Sequence, residues 1–319
     1  MRLILVRHGE SVDNVAGLYA GSRDSALTAH GVLQTRRLGA RLAAMPSGGE
    51  QPIVITHIFS SDLQRAFVTA SAILDAQQKK RDVNDNREAT AAADIVKSVD
   101  LRERDFRSGE GVRFGGSGSS AGDIDGGRNA FADAETRDEM RVRAERFIDM
   151  HLHPLLGEVG VEDTARDSDG RAIVVVAHGL ILNVLLSSLL RRYAPSELAR
   201  LLPPAVAAGG SESAQRRRAE LRVPWNNTGY FVMTVVKVKS KPEEENNNKN
   251  EDKKTGDAGK LHVSGAVQLQ VTKVNCVEHL DGLRKTRGGI GSARFDPKQK
   301  TMDAFFGPSA KRQKRGDDA

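Results

Sequence analysis

The sequence predicts an α/β protein with three layers, α/β/α, around a mostly parallel central sheet. Three apolar runs rich in β-branched residues carry that expectation: "LILV" (Leu3–Val6), "IVITHIF" (Ile53–Phe59) and "AIVVVA" (Ala172–Ala177). Each is followed by polar residues and then by a helical pattern. Apolar strands that alternate with helices fit a parallel sheet covered on both faces.

Taken in order, the helical patterns run over Ala29–Ala44, Ser61–Ala76, Ala134–Leu155 and Leu180–Arg192. The longest apolar stretch, "AIVVVAHGLILNVLLSSLL" (Ala172–Leu190), has the length of a membrane span. His178, Gly179 and Asn183 interrupt it, its first half is β-branched and its second half is rich in leucine. It therefore reads as a buried strand, a break at His178-Gly179, and a buried helix, and no membrane partner is expected. Residues 111–127 are a Gly/Ser-rich loop by composition. Residues 238–260 are a charged low-complexity insertion that cannot build a core. The insertion separates "GYFVMTVVKV" from "AVQLQVTKV", which read as the two strands of a hairpin, so the domain is expected to span residues 1–281. Residues 282–319 read as a flexible basic tail.

The net charge is +6, and residues 282–319 hold ten Lys or Arg against four Asp, so residues 1–281 are balanced. The body gives no electrostatic case for direct nucleic-acid binding. A single cysteine, Cys276, excludes an intramolecular disulfide and a zinc-type cysteine pair, which fits a reducing compartment. The apolar run in "MRLILVRHGE" is too short for a signal peptide.

In open parallel sheets ligands bind beyond the carboxyl ends of the strands. Here the first run ends in Arg7 and His8, the second leads to Arg65 one turn into its helix, and the third ends in His178. Singly, each has an ordinary reading: a hydrogen-bonded histidine, an arginine facing water. Together they put two guanidiniums and two imidazoles on one rim, an anion site suited to phosphate. Helix N-termini would add donors, and the glycine after each histidine would let a phosphate approach the backbone.

These residues lie in "LVRHGES" followed by Asn14, then "SALTAHGVLQ", "SSDLQRAFVTA", "LRERDF" and "VVVAHG". In this order they resemble the histidine phosphatase superfamily, in its phosphoglycerate-mutase-like branch, from Arg2 to about Leu280. "NTGYFVMTV" and "VNCVEHL" look like that family's last two strands. The resemblance implies a phosphoglycerate-mutase-like fold, with His8 as nucleophile, forming a phosphohistidine. Arg7, Arg65 and His178 would hold the phosphoryl oxygens, and Asn14 would contact phosphate or substrate. Glu103 would protonate the leaving oxygen and then activate water. It implies no metal and no cofactor, the cationic side chains taking the metal's part. Two departures bear on the outcome. The glycine usual four residues after the acidic residue is Arg107, although "GEG" (Gly109–Gly111) keeps Glu103 in register. The tryptophan usual before the asparagine in mutases is Asp13, which favours hydrolysis over a mutase-type phosphotransfer. The expected substrate is a phosphorylated small molecule or a phosphoprotein. A phosphatase-derived scaffold without catalysis is the alternative of another class.

In the tail, "QKTMDAFF" has the spacing of peptides that bind the sliding clamp, PCNA, with Gln299, Met302, Phe305 and Phe306 in register. In a single helical turn Met302, Phe305 and Phe306 share a face and form an apolar plug. The competing expectation is that the two phenylalanines dock on the body. The basic cluster "KRQKR" (Lys311–Arg315) is of nuclear-import type, so the nucleus is favoured over the cytoplasm.

Overall fold

The computed structural model describes residues 1–47, 52–83, 94–114, 131–157, 170–201, 221–238, 266–285 and 290–296. Six strands form one sheet in the order β3-β2-β4-β1-β5-β6: β1 (Arg2–Arg7), β2 (Val54–Ser61), β3 (Ile95–Ser98), β4 (Arg171–Ala177), β5 (Tyr230–Val238) and β6 (Ala266–Cys276). β4 runs parallel to both β1 and β2, and β3 parallel to β2, while β5 and β6 add an antiparallel hairpin beside β1. The sheet is therefore mixed and mostly parallel, as expected.

The unbroken apolar strands are explained by the two cores. Leu3 and Leu5 of β1, with Ile173 and Val175 of β4, face helices α4 (Arg137–Phe147) and α6 (Gly179–Tyr193). Ile4 and Val6, with Val174 and Val176, face α2 (Ala29–Ala43) and α3 (Gln64–Val83). Successive side chains alternate between two covered faces, so neither face can be polar. The chain leaving β1 goes to one face and the chain leaving β4 to the other. The carboxyl ends of these neighbouring strands therefore form the switch point, the place where ligands bind in such sheets.

The long apolar stretch is the predicted strand and helix, broken at His178, the N-cap of α6. α3 starts at Gln64 rather than Ser61, because Ser60 and Ser61 still pair with β3. The predicted single helix over Ala134–Leu155 starts at Arg137 behind a Thr136–Glu139 capping box, takes a π turn over Ile148–Leu152, and ends in α5 (His153–Gly157). Short elements escaped the sequence reading: α1 (Val12–Ala16), β3 and α7 (Pro195–Leu201). β3 has four residues at a sheet edge, too few for a recognisable alternation.

Residues beyond the expected boundary at 281 contact the body. Ala29 donates to the Ala293 carbonyl (3.0 Å) and Phe295 to the Leu27 carbonyl (3.1 Å), and Lys285 reaches Glu10 at 2.7 Å. The start of α2 leaves backbone groups that its own turns cannot pair, and residues 293–295 pair with them. Residues 115–127 of the predicted loop, 239–260 of the insertion, the peptide at 299–306 and the cluster at 311–315 lie outside the described residues.

Candidate active site

β1 and β4 pair Arg7 with Ala177, so His8 and His178 leave adjacent strands at the same level. Their rings lie 4.9 Å apart, centre to centre, and both are almost fully buried. His8 Nδ1 lies 2.7 Å from the Gly9 carbonyl, which can only accept, so Nδ1 carries the proton. Burial foremost, then the Arg65 and Arg7 charges, push the His8 pKa well below its ordinary 6.5. A neutral ring protonated at Nδ1 keeps its lone pair on Nε2.

His178 has the opposite tautomer. Arg65 Nε donates to its Nδ1 at 3.1 Å, which leaves the ring proton on Nε2. That buried N–H has no hydrogen-bond partner among the described residues. Burial, then Arg65, lowers the His178 pKa well below 6.5 as well. An Nε2 lone pair therefore stands beside an Nε2–H donor.

Arg7 donates through Nη1 to the Trp225 carbonyl at 2.5 Å, while its buried Nε has no partner among the described residues. Arg65 is 1% exposed. Besides His178 it donates to the carbonyls of Arg23 (2.7 Å), Ala20 and Gly21 (3.0 Å each). Burial lowers the pKa of both arginines, against the pull of Glu103. Arg65 thus orients His178 and holds the 20–23 loop while placing its charge at the rim.

Glu103 is brought in from a different segment. Its carboxylate accepts from the amides of Leu180 and Ile181 at 3.0 Å each, and Arg143 holds the carbonyls of Asp100, Arg102 and Glu103. The first amides of α6, expected to be donors for phosphate, are therefore occupied by Glu103. A Cβ placed on Gly179 would stand 3.8 Å from Glu103 Oε2 and 3.9 Å from Arg7 Nε, so Gly179 opens the space between them. The expectation for the other glycine is corrected: a Cβ at Gly9 would lie 2.7 Å from Thr35 and 2.9 Å from the Gly31 carbonyl. Gly9 is there for contact with α2.

Asn14 closes the capping box of α1 with Ser11 and accepts from Asn227 at 3.1 Å; Asn227 also donates to the His8 carbonyl at 3.2 Å. Asp13 is buried and accepts from Arg23 at 3.1 Å. Arg107 sits at φ 46, a left-handed conformation that glycine adopts more easily. Gln299, Met302, Phe305 and Phe306 lie outside the described residues.

Several contributors were missed by sequence reasoning. Asn183 holds Val223 and the Trp225 indole, fixing the segment whose carbonyl takes Arg7. Thr228, buried at φ 58, donates its amide to the carbonyls of Arg7 and His8. The one available signal was Asn183 itself, an amide inside a leucine-rich helix.

A mixed, mostly parallel α/β/α sandwich that gathers two buried histidines and two arginines where neighbouring strands end defines a class: an α/β protein with a cation-lined site at its switch point. Residues 3–208 match the Histidine phosphatase superfamily (branch 1), and the chain belongs to that family. It is 27% identical over 303 residues to a protein of Schizosaccharomyces pombe named as a "probable phosphatase", covering 95% of this chain and 78% of that one. It is also 27% identical over 196 residues to a protein of Enterobacter named as a "probable phosphoglycerate mutase GpmB", covering 60% of this chain and 75% of that one. Among solved structures, a mycobacterial glucosyl-3-phosphoglycerate phosphatase shares the fold at TM-score 0.50 and 19% identity, over 86% of this chain and 98% of that one.

Proposed function

We propose that the protein is a metal-independent phosphomonoesterase that works through a phosphohistidine on His8. The supporting observation is the His8 ring, held neutral by burial and by two cations, with its proton on Nδ1 bonded to Gly9. Nε2 attacks phosphorus in line, and the bond from phosphorus to the leaving oxygen breaks. Glu103, in its protonated form, gives that oxygen a proton. The carboxylate then takes a proton from water, whose oxygen attacks phosphorus; the P–N bond breaks and neutral His8 returns. Arg7 Nε–H and His178 Nε2–H are the unpartnered donors for the phosphoryl oxygens. Asn14 positions substrate or phosphate. The charge of Arg7 and Arg65 takes the part of a metal, and the substrate is a phosphorylated small molecule or a phosphoprotein.

The test is hydrolysis of an aryl phosphate in EDTA. Wild type turns over, and His8→Ala loses about 10⁴-fold or more in kcat. An alkaline quench of wild type retains acid-labile protein-bound phosphate that the variant lacks. Unchanged turnover by His8→Ala would sink the mechanism. Phosphoglycerate-mutase-type transfer is the second reading, favoured by the GpmB relative; it requires phosphate to appear on an acceptor rather than free. Asp13, paired with Arg23 where mutases carry tryptophan, favours hydrolysis.

The tail reading remains a proposal on spacing alone: Gln299, Met302, Phe305 and Phe306 bind a sliding clamp, and Lys311–Arg315 favours the nucleus. Phe305→Ala with Phe306→Ala is expected to abolish clamp binding and leave catalysis intact. Wild-type binding by that variant would refute the motif. A phosphatase-derived scaffold predicts clamp binding with no turnover of any phosphomonoester.

A further inference from the structure

Glu110 touches neither histidine, yet its carboxylate collects more backbone donors than any catalytic candidate. Oε1 accepts from the amides of Gly21, Ser22 and Phe106, each at 3.0 Å. Oε2 accepts from Gly21 at 3.0 Å and Arg23 at 3.2 Å. Three of these amides are consecutive, and successive N–H groups turned one way form an anion-binding concavity.

The other side of the same loop faces Arg65. In a trans peptide the C=O and the N–H point in opposite directions. The unit joining Ala20 to Gly21 gives its carbonyl to Arg65 Nη2 and its N–H to Glu110, and the unit joining Gly21 to Ser22 does the same. Both peptide dipoles are therefore aligned between a carboxylate and a guanidinium. No side chain fits at the centre of this sandwich: a Cβ on Gly21 would lie 1.7 Å from the Arg104 carbonyl and 2.6 Å from Glu110 Oε1.

We propose that Glu110 is a positioning residue for phosphoryl transfer: by fixing the 20–23 loop it sets the place and orientation of Arg65, and through the Arg65–His178 hydrogen bond it keeps the His178 proton on Nε2. The consequence for turnover rests on the phosphatase reading above; the geometric chain does not. A carboxylate is needed because four amides converge on it, and charge-assisted hydrogen bonds of this kind are the stronger ones. The amide of a glutamine would set its own NH₂ against the N–H groups of Gly21 and Arg23. A displacement on the order of 1 Å at a remote support costs roughly 100-fold in rate.

The experiment compares wild type, Glu110→Gln and Glu110→Asp in full-length protein, by aryl phosphate kinetics, thermal melting and nitrogen-15 NMR of the histidine rings. In Glu110→Gln, kcat is expected to fall about 10- to 100-fold with KM changed less, and the His178 ring signals to move from the Nε2–H tautomer towards a mixture. Glu110→Asp keeps the charge and both acceptors and should recover part of the rate and of the tautomer signal. Wild-type kinetics in Glu110→Gln overturn the proposal. So does a rate loss that follows melting temperature while the His178 signals stay put. If Glu110→Gln does not fold, Glu110→Asp carries the test: unchanged His178 signals and rate overturn it, and a shifted tautomer with lowered kcat supports it. If wild type hydrolyses nothing, the phosphatase reading fails and the NMR arm still decides the positioning.

Discussion

Two regions of this molecule use the same residue types to opposite ends. At the rim, His8 and His178 stand among Arg7 and Arg65. On the far side of β5, His279 stands beside Arg41 and Tyr230. Burial lowers the pKa of all three histidines. The arginines differ. Arg41 is raised, first by Tyr230 and with help from Glu278, which it meets at 2.8 Å. Arg7 and Arg65 are lowered, because burial outweighs the pull of Glu103 and neither forms an ion pair among the described residues. The hairpin region neutralises its own charge. The rim holds its guanidiniums with carbonyls as their main partners, and on the proposed function a phosphate would supply the missing negative charge.

The largest way to break this contrast is at Arg65. Lysine cannot hold three carbonyls and His178 at once, so Arg65→Lys is expected to lose about 10²- to 10³-fold in kcat/KM, measured on the same aryl phosphate. Retention of wild-type kcat/KM would mean that the fork geometry is dispensable.

The second lies in acid. His279 drops from 6.5 to about 4 in the folded protein, with burial as the main cause. Below about pH 6.5 the unfolded chain binds a proton that the folded chain refuses, so the unfolded state gains. Stability is full above pH 6.5, falls as the pH drops towards 4, and levels off below for this group. His8 and His178 act in the same direction, with steps reaching well below 6.5. Melting temperature should therefore fall between pH 7 and pH 5, and His279→Gln should flatten part of that slope without abolishing it. On the proposed mechanism, in which the neutral His8 ring is the nucleophile, the acid limb of kcat/KM contributed by His8 should lie well below 6.5. A melting temperature independent of pH would remove the electrostatic half of the comparison.

The smallest effect is at Arg41. Its ion pair with Glu278 is largely exposed, and pairs of that kind contribute about 0.2–1 kcal/mol. Arg41→Met should lower stability by that amount in a denaturant titration and leave kcat/KM within about twofold. A loss comparable to that of Arg65→Lys would show that the two regions are coupled, for which Thr228 offers a path: its hydroxyl lies 2.9 Å from His279 Nε2 and its amide binds the carbonyls of Arg7 and His8.

Much of the rim was legible because it is local. Arg7, His8 and His178 follow directly from where apolar runs end, and Arg65 from the first turn of the next helix. The same local logic misjudged Gly9, since a Cβ placed there would meet α2 within 3 Å. It also expected helix N-termini to add donors for phosphate, and at α6 the Leu180 amide is taken by Glu103, 77 residues earlier in the chain. The strap at 293–295 was invisible because it is held by backbone hydrogen bonds, which leave no trace in composition.

By itself the sequence determined every strand of the sheet except the short edge strand β3, the two covered faces, and the set of charged and imidazole groups delivered to one edge, because strand alternation and strand termination are properties of neighbours along the chain. Only the tertiary structure decided which nitrogen of each histidine is left unpaired, which arginine orients its neighbour and which carboxylate supports the loop. His8 takes its partner from the neighbouring residue, Gly9, but the other outcomes depend on hydrogen-bond partners drawn from distant segments: Arg65 for His178, Trp225 for Arg7, and the 20–23 loop for Arg65 and Glu110. A donor's chemistry is written in its residue, but whether it is already satisfied is settled by what folding brings within 3 Å of it.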